Sequence, residues 1–118
     1  MELGEVFEEA CRYGNLGLIK LCVKHGADIY AWDNWAVRCA AGSGNLDAVK
    51  YFVEKHGADI TACDNFAVIW AAENGHRNII KYLVEKGADV TASNNYAVRL
   101  AAANGHQHVV EYIKSITK

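Results

Sequence analysis

The sequence predicts an all-α repeat solenoid, with four helix-turn-helix units stacked in a row and joined by shortened turns. Two markers carry this reading. Gly26-Ala27-Asp28-Ile29, Gly57-Ala58-Asp59-Ile60 and Gly87-Ala88-Asp89-Val90 recur at 31 and then 30 residues. Gly14-Asn15, Gly44-Asn45, Gly75-His76 and Gly105-His106 keep step at 30, 31 and 30. A fixed period of this size belongs to small units that cannot bury their apolar faces alone and so stack on their neighbours. The 118 residues are expected to form one domain, divided near residues 1–30, 31–61, 62–91 and 92–118.

Each element follows from its residues. The first unit has helices from about Leu3 to Tyr13 and from Leu16 to Lys24. The third unit is the clearest. Asp64-Asn65 are good N-cap residues, because a short side-chain oxygen can accept a free amide at a helix start. Phe66 to Asn74 then reads as a short helix, and Gly75 stops it by adopting a left-handed conformation. From Arg77 to Lys86, Ile79, Ile80, Leu83 and Val84 lie on one face of a second, amphipathic helix. Gly87 ends it, and Ala88-Asp89-Val90-Thr91 turns away. The inner units repeat this plan.

Columns across the repeats predict the core. Ala40-Ala41, Ala71-Ala72 and Ala101-Ala102 let neighbouring first helices approach closely. Ile19, Val49, Ile80 and Val110 form one core column of the second helices; Cys22, Phe52, Leu83 and Ile113 form another. Ile29, Ile60 and Val90 are expected beneath the turns. Tyr51, Tyr82 and Tyr112 are expected half-buried, with wet hydroxyls. His56 adds one residue before Gly57 and predicts an extended or bulged helix end. Glu5, Glu8 and Glu9 at one end, and Lys114 at the other, read as polar caps of a complete array.

Composition narrows the function. Apolar residues make up 52% and charged residues 22%, with a formal net charge of -2, so no overall attraction to nucleic acid or an anionic membrane is expected. The acidic start, Met1-Glu2-Leu3-Gly4-Glu5, reads against a secretory signal, and no apolar run reaches the roughly 20 residues of a membrane span. Cys11, Cys22, Cys39 and Cys63 form no C-x-x-C pair and share no repeat position, so they read as reduced, mostly buried thiols of an intracellular protein. Proline is absent, so the turns rest on Gly, Asn and Asp.

No catalytic or cofactor motif is present: no G-x-S-x-G, no H-E-x-x-H and no Gly-rich phosphate loop. His76 and His106 follow the marker glycines and read as structural; His106 and His108, two apart, are expected on different sides of a helix. Asp28, Asp59 and Asp89 are turn residues that bond their own backbone. Lys20, Lys50 and Lys81 read as solubilising charge, and Glu54, Glu85 and Glu111 among them argue against a nucleic-acid stripe. No enzyme, metal or cofactor is expected.

The string G-x-x-x-V-V-x-Y-L-V-E-K-G-A-D-V-x-A, which Gly75 to Ala92 follows with Ile79-Ile80 at the V-V positions, resembles the second helix and turn of an ankyrin repeat, and Ala71-Ala72-Glu73-Asn74-Gly75-His76 resembles that family's A-A-x-x-G-H segment. The resemblance covers nearly the whole chain. The chain departs from the family in its unit, which is three residues shorter than the usual 33 and lacks the T-P-L-H block. Trp35-Ala36-Val37-Arg38, Phe66-Ala67-Val68-Ile69 and Tyr96-Ala97-Val98-Arg99 stand there instead, so a stunted hairpin is expected. With the Thr and His of that block missing, Asn34, Asn65 and Asn95 are expected to cap the first helices. The short variety is similar to repeats of large DNA viruses, which implies a cytoplasmic or nuclear setting, that of a host cell if viral.

The resemblance implies a non-catalytic module that binds a partner protein through its turn tips and first helices. By position the candidate contacts are Tyr30, Trp32, Trp35, Arg38, Cys63, Phe66, Ile69, Glu73, Ser93, Tyr96 and Arg99. Trp35, Phe66 and Tyr96 form an aromatic column with rungs on the order of 10 Å apart. It either offers interface or fills the space left by the short hairpin. The alternatives are an architectural or self-associating unit, or an engineered or excised repeat scaffold. No nucleic acid or membrane partner is expected, and a monomer is expected ahead of self-association.

Overall fold

The computed structural model describes residues 2–117, and these form eight helices and no strand. They pair along the chain: α1 (Leu3–Tyr13) with α2 (Leu16–Lys24), α3 (Ala31–Gly42) with α4 (Leu46–His56), α5 (Ala62–Glu73) with α6 (Arg77–Glu85), and α7 (Ala92–Ala103) with α8 (Gln107–Ile116). Each first helix packs on the next first helix and each second helix on the next second helix. The result is a rod of 44 × 23 × 20 Å.

The core runs the length of this rod along the expected columns. Ile19, Val49 and Ile80 are fully buried, as are Phe52 and Leu83. Ala40, Ala41, Ala71, Ala72 and Ala101 have no exposed surface, while Ala102, on the last first helix, is exposed. Ile29, Ile60 and Val90 are buried beneath their turns. Close approach is strictest at Gly42, where a Cβ would lie 2.2 Å from a ring carbon of Trp70 in the next unit. Only glycine leaves room for that indole.

The shortened turns close in an unexpected way. Trp32-Asp33-Asn34, Cys63-Asp64-Asn65 and Ser93-Asn94-Asn95 are three successive left-handed residues each, with φ between 52° and 65°. The regular part of each first helix therefore starts at Trp35, Phe66 or Tyr96. Each left-handed non-glycine residue costs roughly 1–2 kcal/mol, so the surroundings must hold these turns in place.

The asparagines expected to cap do something else. Asn34 Oδ1 accepts from the Asp59 amide at 2.9 Å, and Asn65 Oδ1 from the Asp89 amide at 2.8 Å. They tie each turn to the following one. Asp28, Asp59 and Asp89 accept from the amide two residues ahead, at Tyr30, Thr61 and Thr91. The Thr61 hydroxyl and amide both hold the Asp59 carboxyl below its usual 3.8.

Two other expectations need revision. Two of the three tyrosine hydroxyls are not left to water: Tyr82 donates to Glu54 at 2.7 Å, and Tyr51 lies 3.0 Å from His56 Nε2. Burial, then the Glu54 bond, push the Tyr82 phenol up to about 12. Lys20 and Lys50 are not merely solvated. Each ammonium sits over the tyrosine ring of the next unit, 5.5 Å from Tyr51 and 5.7 Å from Tyr82. α4 runs on to His56, as expected, with 11 residues against 9 in α6, before Gly57 at φ 61°.

Leu83 has no exposed surface and belongs to the core that runs through the stack. Leu83→Ala should cost about 2–5 kcal/mol in a urea melt. Lys81→Ala, on the exposed side of the same helix, should stay within about 0.5 kcal/mol.

Candidate functional site

The turn tips and the faces of α3, α5 and α7 that follow them form a continuous strip along the rod. The candidate contacts do not share one fate on it. Trp32 stands furthest out, with 80% of its surface exposed; Tyr30 is 52% and Tyr96 37% exposed. Cys63 and Ser93 are exposed tip residues, and Trp35, Phe66 and Glu73 are half-buried. Ile69 is 2% exposed and belongs to the core, so it has no surface to offer a partner. Its column neighbours Arg38 and Arg99 are long enough to reach out of the same position; an isoleucine is not.

Those two arginines hold the left-handed turns. Arg38 donates through Nε to Asp33 O at 3.1 Å and through Nη2 to Trp32 O at 2.6 Å. Arg99 does the same to Asn94 O and Ser93 O, at 3.1 and 3.4 Å. A guanidinium has five N–H groups in a fixed fork, so two clamp the turn and others remain for a partner. Ile69 supplies no such clamp to Cys63-Asp64-Asn65; there the Asp64 carboxylate accepts from the Ser93 hydroxyl of the next turn. Tyr30 likewise reaches across, its hydroxyl donating to His56 O.

Cations alternate with rings along the strip. Arg12 lies 5.7 Å from the Trp35 ring centre, Arg38 5.9 Å from Phe66 and Arg99 5.0 Å from Tyr96. Phe66 also packs at 5.6 Å against Trp70. Each cation–ring contact is worth roughly 0.5–1 kcal/mol at an exposed site. Such contacts keep the side chains ordered on the surface.

The far end of each first helix is tied down by the next unit. Its last carbonyls lack helical partners. Asn45 Nδ2 donates to Cys11 O at 3.2 Å, Asn74 Nδ2 to Gly42 O at 2.9 Å, and Asn104 Nδ2 to Glu73 O at 3.2 Å. His76 Nε2 joins Asn74 on Gly42 O at 3.2 Å, which bears out a structural histidine. Burial first, then the nearby His106, lowers the His76 pKa from 6.5; the Gly42 bond opposes them. His106 and His108 come closer than expected, with ring centres 6.3 Å apart, because His106 is the N-cap and lies outside the helix. Among the described residues no three His, Cys, Asp or Glu side chains are grouped to hold a metal ion.

Cys11, Cys22 and Cys39 are buried free thiols, and Cys63 is an exposed one. Burial, then the neighbouring Cys39 and Cys22, push Cys11 up to about 12. It is therefore no nucleophile near neutrality.

Sequence reasoning missed a groove at the start of the strip. It lies between α1 and the first turn, is lined by Leu3, Phe7, Ala27, Trp32 and Trp35, and has Glu8 on its edge. A readable signal was Gly4, which stands where the later units have Asn34 and Asn65.

Paired helices stacked by close-packed alanines, with ordered tips along one side, define a helical repeat protein built around a surface. Residues 39–117 match a family model for ankyrin repeats in three copies, and residues 7–53 match one for ankyrin repeats in many copies. The chain belongs to the ankyrin repeat family. No curated protein matches it. Ankyrin repeats are generally non-enzymatic modules that bind other proteins. No helix of the described residues is long and apolar enough to cross a membrane.

Two outcomes test this bonding. Asn65→Ala should cost about 0.5–1.5 kcal/mol by removing the bond to the exposed Asp89 amide, whereas Asn95→Ala, where no such bond is made among the described residues, should be near neutral. The His76 shift sets a pH dependence. The unfolded chain takes up the proton at higher pH than the folded one, so stability should fall as pH drops through and below 6.5. His76→Asn, which restores the residue type of Asn45, should flatten that limb of a pH-dependent melt.

Proposed function

We propose that this chain is a non-catalytic protein-binding module whose partner docks along the concave strip of turn tips and first helices. One observation carries the reading: Trp32 is 80% exposed on a turn whose backbone is bonded in place. Tyr96 at the other end of the strip adds a second exposed ring. Exposed aromatics on an ordered backbone anchor interfaces at low cost in conformational freedom. The proposed contacts are Tyr30, Trp32, Trp35, Arg38, Cys63, Phe66, Glu73, Ser93, Tyr96 and Arg99. Ile69 leaves that set because it is buried. An intracellular setting, cytoplasmic or nuclear, accords with four free cysteines.

The architectural reading draws on a different observation. Tyr30, Arg38 and Arg99 spend hydrogen bonds inside the chain, so part of the strip serves packing.

Affinity capture with three forms separates the two: the unaltered chain, a Trp32→Ala/Tyr96→Ala pair, and a Lys81→Ala/Glu85→Ala control on exposed convex positions. The module reading expects a captured protein that the control retains. The aromatic pair should bind it about tenfold or more weaker, with the melting temperature moved less than about 4 °C. Retention by all three forms, or a loss that follows unfolding, favours packing.

A further inference from the structure

The groove between α1 and the first turn breaks the repeat pattern. Asn34 and Asn65 each stand ten residues before a marker glycine, and each accepts from the amide of the following turn aspartate. The residue ten before Gly14 is Gly4, which has no side chain to accept from Asp28. Among the described residues the Asp28 amide has no acceptor. A Cβ on Gly4 would meet nothing within 4 Å. The space is open, and Asp28, whose amide has no acceptor among the described residues, lines it.

The size and chemistry of the groove select its occupant. Its volume is about 250 Å³, smaller than the roughly 300–1,000 Å³ of sites that enclose a small molecule. It suits one large side chain. Leu3, Phe7, Ala27 and Trp35 make an apolar lining, and exposed Trp32 forms a wall. Glu8 and Asp28 are the charged residues of the lining, and both are acidic. Glu5 and Asp33 follow closely in the chain and are exposed. Arg12, on an adjoining recess, is engaged over the Trp35 ring.

We propose that this groove takes a basic peptide segment of the partner. One bulky apolar side chain enters it, a carbonyl accepts from the Asp28 amide, and a neighbouring Lys or Arg pairs with Glu8 and Asp28. The inference rests on the concave-face reading and adds the chemistry of what docks at its first end.

Random dodecapeptides displayed on phage and selected against the intact chain test it. Enriched sequences should join a large apolar residue to Lys or Arg. A fluorescein-labelled peptide of that sequence should bind about tenfold weaker to Gly4→Leu, which plugs the groove, and to Glu8→Lys, which reverses its edge. Glu85→Lys, on the far side, should bind it unchanged. Thermal melts establish that each variant is folded, and Glu8→Lys alters only an exposed residue. Peptides that ignore both groove variants but lose affinity for Tyr96→Ala overturn this inference and leave the concave-face function standing. Enriched peptides without basic residues overturn it as well, as does a failure to enrich any. A dimer in sedimentation that Gly4→Leu abolishes assigns the groove to a second copy and overturns the peptide.

Discussion

Close approach of neighbouring first helices is the constraint from which the rest follows. Alanines at 40–41 and 71–72, with Gly42 beneath the Trp70 ring, set that spacing. With the first helices held so near, the end of one lies within reach of the next unit's asparagine and histidine. Gly42 O, bonded by both Asn74 and His76, shows the result. Stability in such a stack is a sum of neighbour interfaces rather than one central core. An altered residue is therefore felt mainly by the units on either side.

The short period adds a second constraint. A unit three residues briefer than usual must reverse direction in less chain. This molecule does so with three left-handed residues in a row. Repetition of that conformation at the start of all three units after the first marks it as architecture. Its support is divided among side chains from different places: Arg38 and Arg99 from the same helix, Asn34 and Asn65 toward the following turn, and the Asp64–Ser93 bond between turns. The turn tips are thus held from both sides.

Much of this was legible in the sequence. Helix positions, alanine columns, the residues beneath the turns and the longer α4 all follow from periodicity, because a repeated column reports a repeated environment. The turns were not legible. Asp-Asn before an apolar run ordinarily signals a helix cap, and nothing local distinguishes a cap from a left-handed run. Ile69 misled because its column also holds Arg38 and Arg99, and one register position can serve the interior or the surface according to side-chain length. The groove was half legible. Gly4 in the asparagine column is visible in the sequence, but the open space beside it needed coordinates.

The distribution of sulfur has a consequence of its own. Three thiols are sealed within the first two helix pairs, and burial suppresses ionisation of Cys11 and Cys39. Cys63 alone among the cysteines meets solvent, and it does so on a turn tip. Mild oxidants and alkylating reagents therefore reach this turn tip before they reach the interior. Chemical damage to this molecule would mark an exposed tip first while leaving its scaffold standing.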